Sequence, residues 1–229
     1  MTPLLLIPGM MCDARMWGGL PAALYPREVG HALPTDFDSV QSLAAQILQD
    51  APPRFALSGL SMGGIVAMEV LRQAPHRIER LALLDTNPLA EVPEMQARRL
   101  PQIARVKAGG LTEVMRDEMK PNYLAQGPLK AEILDLCMDM AVSLGPITFL
   151  RQSRALAERP DQQPTLAAFN GPALVLMGTE DTLCPRPRHD LMHHLMPQSR
   201  FEVIDGAAHL PTLEKPTQTT AALRRWLED

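Results

Sequence analysis

Ser61 sits in Gly59-Leu60-Ser61-Met62-Gly63-Gly64, after an apolar run and before a helical pattern. A serine on a sharp strand-to-helix turn has strained dihedrals, and side chains two positions to either side would collide. That accounts for the flanking glycines. At a helix N-terminus the serine also has free N–H groups and the positive end of the helix dipole beside it, where an oxyanion would develop. The alternative is a glycine-rich turn that merely packs against a sheet. A serine hydroxyl needs a base, and the base needs a group to orient it. His209, in Asp205-Gly206-Ala207-Ala208-His209-Leu210, and Asp181, in Gly178-Thr179-Glu180-Asp181, each follow a later apolar run. Alone, His209 would read as a loop histidine bonding a carbonyl; its place after the last such run and after Ser61 makes it the expected base. Asp181 is preferred as the acid on chain order and loop position, with Glu180, Asp205 and Asp85 as alternatives.

Alternating strands and helices are needed to bring these three together. Pro3–Ile7 is a continuous apolar run stopped by Pro8-Gly9, as in a buried parallel strand. Asp13 is placed to cap a helix running to Leu24, with Trp17, Leu20 and Leu24 at helical spacing. A short edge strand near Gly30–Leu33 follows, then a helix opened by Asp38 or Ser39 and ended by Pro52-Pro53. Further strands are expected over Arg54–Leu60, Ile78–Asp85, Ala173–Met177 and Arg200–Ile204. Helices are expected over Met62–Ala74, Pro187–Met196 and Lys215–Leu227. The pattern predicts an α/β fold with a mostly parallel sheet covered on both faces, and sites at the carboxyl ends of its strands.

Residues 88–164 break the rhythm with helical periodicity and no convincing strand, so they read as a helical lid inserted into a core of residues 1–87 and 165–229. Its arginines (Arg98, Arg99, Arg105, Arg116, Arg151, Arg154) could meet a substrate carboxylate, but a solvated face paired with neighbouring acids is the preferred reading.

Composition removes several function classes. A chain of 229 residues is long enough for one full core, and its 46% hydrophobic content excludes wholesale disorder. A net charge of −4 with no dense basic block gives no attraction to nucleic acid. The N-terminal apolar run is too short and lacks the basic flank of a signal peptide, and no apolar stretch reads as long enough to cross a bilayer. Three cysteines without metal-ligand spacing suit a reducing cytoplasm, and the pair His193-His194 reads as surface rather than as a zinc site. His31, His76 and His189 likewise fall in segments read as edges or helix surfaces.

Four stretches carry a family resemblance: Leu4-Leu5-Leu6-Ile7-Pro8-Gly9 with the residues to Trp17, the Ser61 turn, Gly178 to Asp181 with Pro185, and Gly206 to Leu210 followed by Leu213-Glu214-Lys215-Pro216. In these the chain resembles the lid-bearing α/β-hydrolases, among them small bacterial carboxylesterases and pimeloyl-carrier-protein methyl ester esterases. The resemblance implies an oxyanion hole made by the N–H groups of Met10 and Met62. It also implies a Ser61-His209-Asp181 triad acting on small-molecule esters, with no metal or organic cofactor required. The chain departs from the family in having Pro8-Gly9 where His-Gly is common. It also starts at that strand, so two N-terminal strands are expected to be missing and the sheet to have about six. With 14 methionines and few aromatics, an adaptable acyl pocket is expected around Met11, Leu183 and Leu210. Lactonase, C–C bond hydrolase and perhydrolase chemistry on the same scaffold remain open, as does a non-catalytic binding module that keeps the triad.

Overall fold

A computed structural model describes residues 1–228 of the chain. The apolar runs form six parallel strands: β1 (Leu4–Ile7), β2 (Val29–His31), β3 (Phe55–Leu60), β4 (Ile78–Leu84), β5 (Ala173–Gly178) and β6 (Arg200–Ile204). They pair in the order β2-β1-β3-β4-β5-β6. The chain therefore runs from β1 outward to β2, then returns to the other side of β1 for β3. A reversal of that kind leaves a crevice at the carboxyl ends of β1 and β3, where α/β sheets hold ligands.

Both faces of each central strand are apolar because both are covered. Leu5, Ile7, Leu57, Leu81, Leu83 and Val175 point into one cluster with α2 (Val40–Asp50), α3 (Met62–Gln73) and α8 (Arg186–Leu195). Leu4, Leu6, Ala56, Leu84, Leu174 and Leu176 point into the other, with Trp17 and α10 (Pro216–Glu228). Alternation with period two thus appears as unbroken apolar runs. Ser39 caps α2 by accepting from the Ser42 N–H, as its sequence position suggested.

The helix expected from Asp13 to Leu24 is instead two pieces, a 3-10 turn over Ala14–Trp17 and α1 (Leu20–Ala23). Asp13 does cap the first, accepting from the Arg15 N–H, but Gly18 at φ 52° reverses the backbone and Pro21 restarts the helix. Between β4 and β5 lie α4 (Pro93–Lys107), α5 (Leu111–Glu113), α6 (Lys130–Ala157) and α7 (Gln163–Ala167), with no strand. A short helix, α9 (Pro211–Glu214), precedes α10.

One expectation needs correction: α6 is long and apolar enough by composition to cross a membrane. Gly145, at φ 78°, breaks it just before Pro146. Each half then falls short of the roughly 20 residues a crossing takes. The first half sends Ile133, Cys137 and Met140 into the cluster around Trp17. Phe149, Ala155 and Leu156 of the second half go into the cluster around α3.

Candidate active site

Ser61 follows β3 directly and has φ 55° and ψ −120°, a left-handed conformation unusual for a residue with a side chain. Its N–H donates to the Leu84 carbonyl at 2.9 Å, and its own carbonyl accepts from Thr86 Oγ1 at 2.7 Å. These bonds to the end of β4 hold the strain in place. The neighbouring glycines are sterically required. A Cβ on Gly59 would strike the Gly63 backbone, and one on Gly63 would strike the Ile7 carbonyl.

Three side chains from three strand ends meet here. Ser61 Oγ lies 2.9 Å from His209 Nε2, and His209 Nδ1 lies 2.9 Å from Asp181 Oδ2. The other Asp181 oxygen accepts from the N–H groups of Leu183 (2.8 Å) and Cys184 (3.1 Å). Burial pushes the Asp181 carboxyl up, but the His209 bond and charge and these two N–H donors outweigh it and hold it below the usual carboxylate range. With the Nδ1 proton turned to Asp181, the Nε2 lone pair faces the serine hydroxyl. Ser61 itself is half-buried, which leaves its Oγ reachable.

The alternatives for the acid are also placed. Asp85 is buried near Asp181, and its Oδ1 accepts from the Gly178 N–H. Glu180 is exposed, and so is Asp205, which precedes the turn at Gly206.

Met10 and Met62 are buried at the ends of β1 and β3, and neither main-chain N–H has an acceptor among the described residues. Met62 is the first residue of α3, so its N–H is one of the four a helix leaves open. Met10 belongs to a turn closed by Cys12 N–H to the Gly9 carbonyl at 3.2 Å. Met11 and Leu210 are buried, whereas Leu183 is 43% exposed.

Three supporting groups were given no role from sequence. Gln152, on the second half of α6, accepts the Met11 N–H with Oε1 and donates with Nε2 to the Pro34 carbonyl, both at 2.9 Å. Glu214 gathers the N–H groups of Ala208, Leu210 and Ala125 around the His209 loop. Tyr123 accepts the His209 N–H with its carbonyl and sets its ring 6.0 Å from the imidazole. The spacing of Glu214 from His209 was visible in sequence; the other two lie far away along the chain.

Among the arginines named from sequence, Arg99, Arg105, Arg116 and Arg154 all pair with acids. Arg99 is the one drawn inward, where it shares Glu91 with Arg159, a buried residue the sequence reading passed over. His189 is fully buried on α8 rather than on a helix surface, because α8 turns His189 and Met192 toward the sheet. Cys12 and Cys184 are held well above the usual thiol range, chiefly by burial, which fits inert thiols.

Residues 4–223 match the sequence profile described as the alpha/beta hydrolase family. A pimeloyl-[acyl-carrier protein] methyl ester esterase of Klebsiella pneumoniae (strain 342) is 28% identical over 194 residues, 78% of this chain and 71% of that protein. An esterase from Thermogutta terrifontis, solved with malate bound, superposes with a TM-score of 0.90 at 29% identity, covering all of this chain and 90% of that one. The enol-lactonase of Burkholderia xenovorans LB400 superposes at 0.88 with 21% identity, over all of this chain and 92% of that one, and shares the fold.

Proposed function

The chain belongs to the alpha/beta hydrolase family, and from that premise we propose a carboxylic ester hydrolase that works through an acyl-serine intermediate on esters of small or medium apolar acids. The observation that carries this reading is the unbroken line from Ser61 Oγ through His209 to Asp181, two contacts of 2.9 Å beside two unengaged main-chain N–H groups.

In this mechanism His209 Nε2 takes the hydroxyl proton as Ser61 Oγ attacks the ester carbonyl carbon. The carbonyl oxygen becomes an oxyanion held by the N–H groups of Met10 and Met62. Donors held by the fold before the substrate arrives require no reorganisation as charge develops. Asp181 steadies the imidazolium, which then passes its proton to the leaving alcohol as the C–O bond breaks. Water enters, gives a proton to His209 and attacks the acyl carbon; a second oxyanion collapses, the acid leaves and Ser61 regains its proton. Met10, Met11, Met62 and Leu210 supply flexible apolar walls suited to an alkyl acyl chain. The 88–164 insertion would cover this site, with Gln152 bonded to Met11 and Tyr123 to His209 on its inner side.

Hydrolysis of p-nitrophenyl esters of increasing acyl length, wild type beside Ser61→Ala, tests the proposal. Turnover should vanish in the mutant while its melting temperature stays near that of wild type. A mutant that keeps the wild-type rate would remove Ser61 as nucleophile.

A further inference from the structure

Asp85 closes β4 next to the Ser61 turn, with φ 43° and a side chain wholly out of solvent. Its Oδ1 accepts the Gly178 N–H at 2.9 Å, a single main-chain donor. Its Oδ2 has no donor among the described residues, and the Asp181 carboxylate is a close neighbour, the two being tied through Gly178, whose carbonyl accepts the Asp181 N–H at 3.3 Å. When two carboxylates share a buried site, each disfavours the other's charge and one of them is raised. The donors around each decide which. Asp181 collects the His209 ring N–H and the N–H groups of Leu183 and Cys184, all of which favour its charged form. Asp85 has one donor and an unfilled oxygen.

We propose that Asp85 is a neutral carboxylic acid whose Oδ2–H donates to the Asp181 carboxylate, which makes it a positioning residue for the Asp181-His209 pair. This deepens the esterase reading above and rests on it for Asp181 being the working acid. Charge bookkeeping agrees. Burial, then the charge of Asp181, raise the Asp85 carboxyl well above its usual range; the Gly178 N–H works against that, and Glu214 adds to it. The other titratable groups nearby are Cys184, which faces both aspartates, and His209 and His189, which face Asp181. None of these supplies a cation directly to Asp85. The role follows from the geometry. With its proton in place Asp85 gives Asp181 a fourth donor, fixing the carboxylate plane that the His209 Nδ1–H must meet.

Infrared spectra of the resting protein at neutral pH, wild type against Asp85→Asn, read the proton directly. The wild type should show a carboxylic-acid C=O band that the mutant lacks. Kinetics give the second readout. Asparagine can still donate to Asp181, so Asp85→Asn should lower kcat/KM only a few-fold and leave the acid limb of its pH profile in place. Asp85→Leu should lose about 10- to 100-fold. An ionised Asp85 would give no band, and removing its charge would move the acid limb down by about one pH unit or more. Either finding overturns the proposal, as does a band that persists in Asp85→Asn. Because the infrared measurement needs neither substrate nor the leucine variant to fold, failure of the esterase reading would show separately, as wild-type inactivity with the band present.

Discussion

Replacing Gln152 by leucine should damage catalysis from a residue that touches no substrate. Gln152 is fully buried and spans the gap between the Met11 N–H and the Pro34 carbonyl, with 2.9 Å bonds at both ends. Leucine fills similar space but leaves both main-chain groups without a partner. Each orphaned group costs about 1–3 kcal/mol, and burial of the leucine recovers part, for a net loss of about 2–4 kcal/mol. For a chain of this length that corresponds to a fall of roughly 5–15 °C in melting temperature. The Gly9 to Cys12 turn survives, so the neighbouring Met10 N–H is re-aimed rather than removed. Outright loss of an oxyanion donor typically costs about 10²–10³ in kcat; a misaimed one should cost roughly 10–100. Because such a donor acts mainly in the transition state, kcat and kcat/KM should fall together with KM nearly constant. Steady-state kinetics on a p-nitrophenyl ester, with thermal melts alongside, measure both. Glu69→Ala is the control, since it breaks a buried cluster with Arg72, Gln73 and Gln162 two turns along α3 from the serine. The reasoning is refuted if Gln152→Leu melts early but keeps kcat/KM within about threefold of wild type.

Asp181→Asn should lower kcat by about 10³–10⁴, because an amide cannot hold the imidazole in the required tautomer; a loss below tenfold in the same ester assay would point to another acid. Glu214→Gln turns an amide nitrogen toward N–H groups that now meet carboxylate oxygens at Ala208, Leu210 and Ala125. Loosening of the His209 loop should cost at least about tenfold in kcat/KM, and unchanged kinetics would show that the loop holds itself. His189 is pushed down to about 4 chiefly by burial. An unfolded chain therefore takes up a proton there as pH falls through 6.5, while the folded one does not until about 4. Stability held above pH 6.5 is thus lost across that window, by about 3 kcal/mol at most. Melts of His189→Leu should be flatter than wild type between pH 6.5 and 4, and parallel curves would refute the assignment. Below that window Asp181 and Glu69, both held low by their donors despite burial, take over the acid loss.

The parts of the site that were legible in sequence are those whose cause is local. A turn that needs glycine at 59 and 63 writes its requirement within five residues, and Asp181 and His209 each follow their strand by a few positions. The strands themselves were legible because two covered faces demand unbroken apolar runs. What stayed hidden depends on contacts across the chain. Gln152 reaches 141 positions back to Met11, and a polar residue on a helix reads as solvent-facing unless that contact is known. His189 was misread for the same reason, since one buried face of α8 carries a histidine where an apolar residue is expected. Asp85 was visible as a candidate acid, but a one-dimensional pattern does not say that its carboxyl is buried against the Gly178 N–H rather than bonded to His209.

The same distinction bears on how the helices of residues 88–164 are held. Read from sequence, residues 88–164 form a separate lid. The structure sends them into both cores: Phe149, Ala155 and Leu156 join the cluster around α3, and Tyr123, Ile133 and Met140 join the one around Trp17. Lifting the insertion as one body would expose these side chains at about 25 cal/mol for every Å² of apolar surface. It would also withdraw Gln152 from Met11 and Tyr123 from His209, removing support from the Gly9–Cys12 turn and the His209 loop together. α4 is packed more lightly: Val106 is its one buried apolar residue and Met95 and Leu100 face solvent, although Arg99 reaches inward to Glu91. The two halves of α6 belong to the packed body, and through Gln152 the second half holds the turn at Met11.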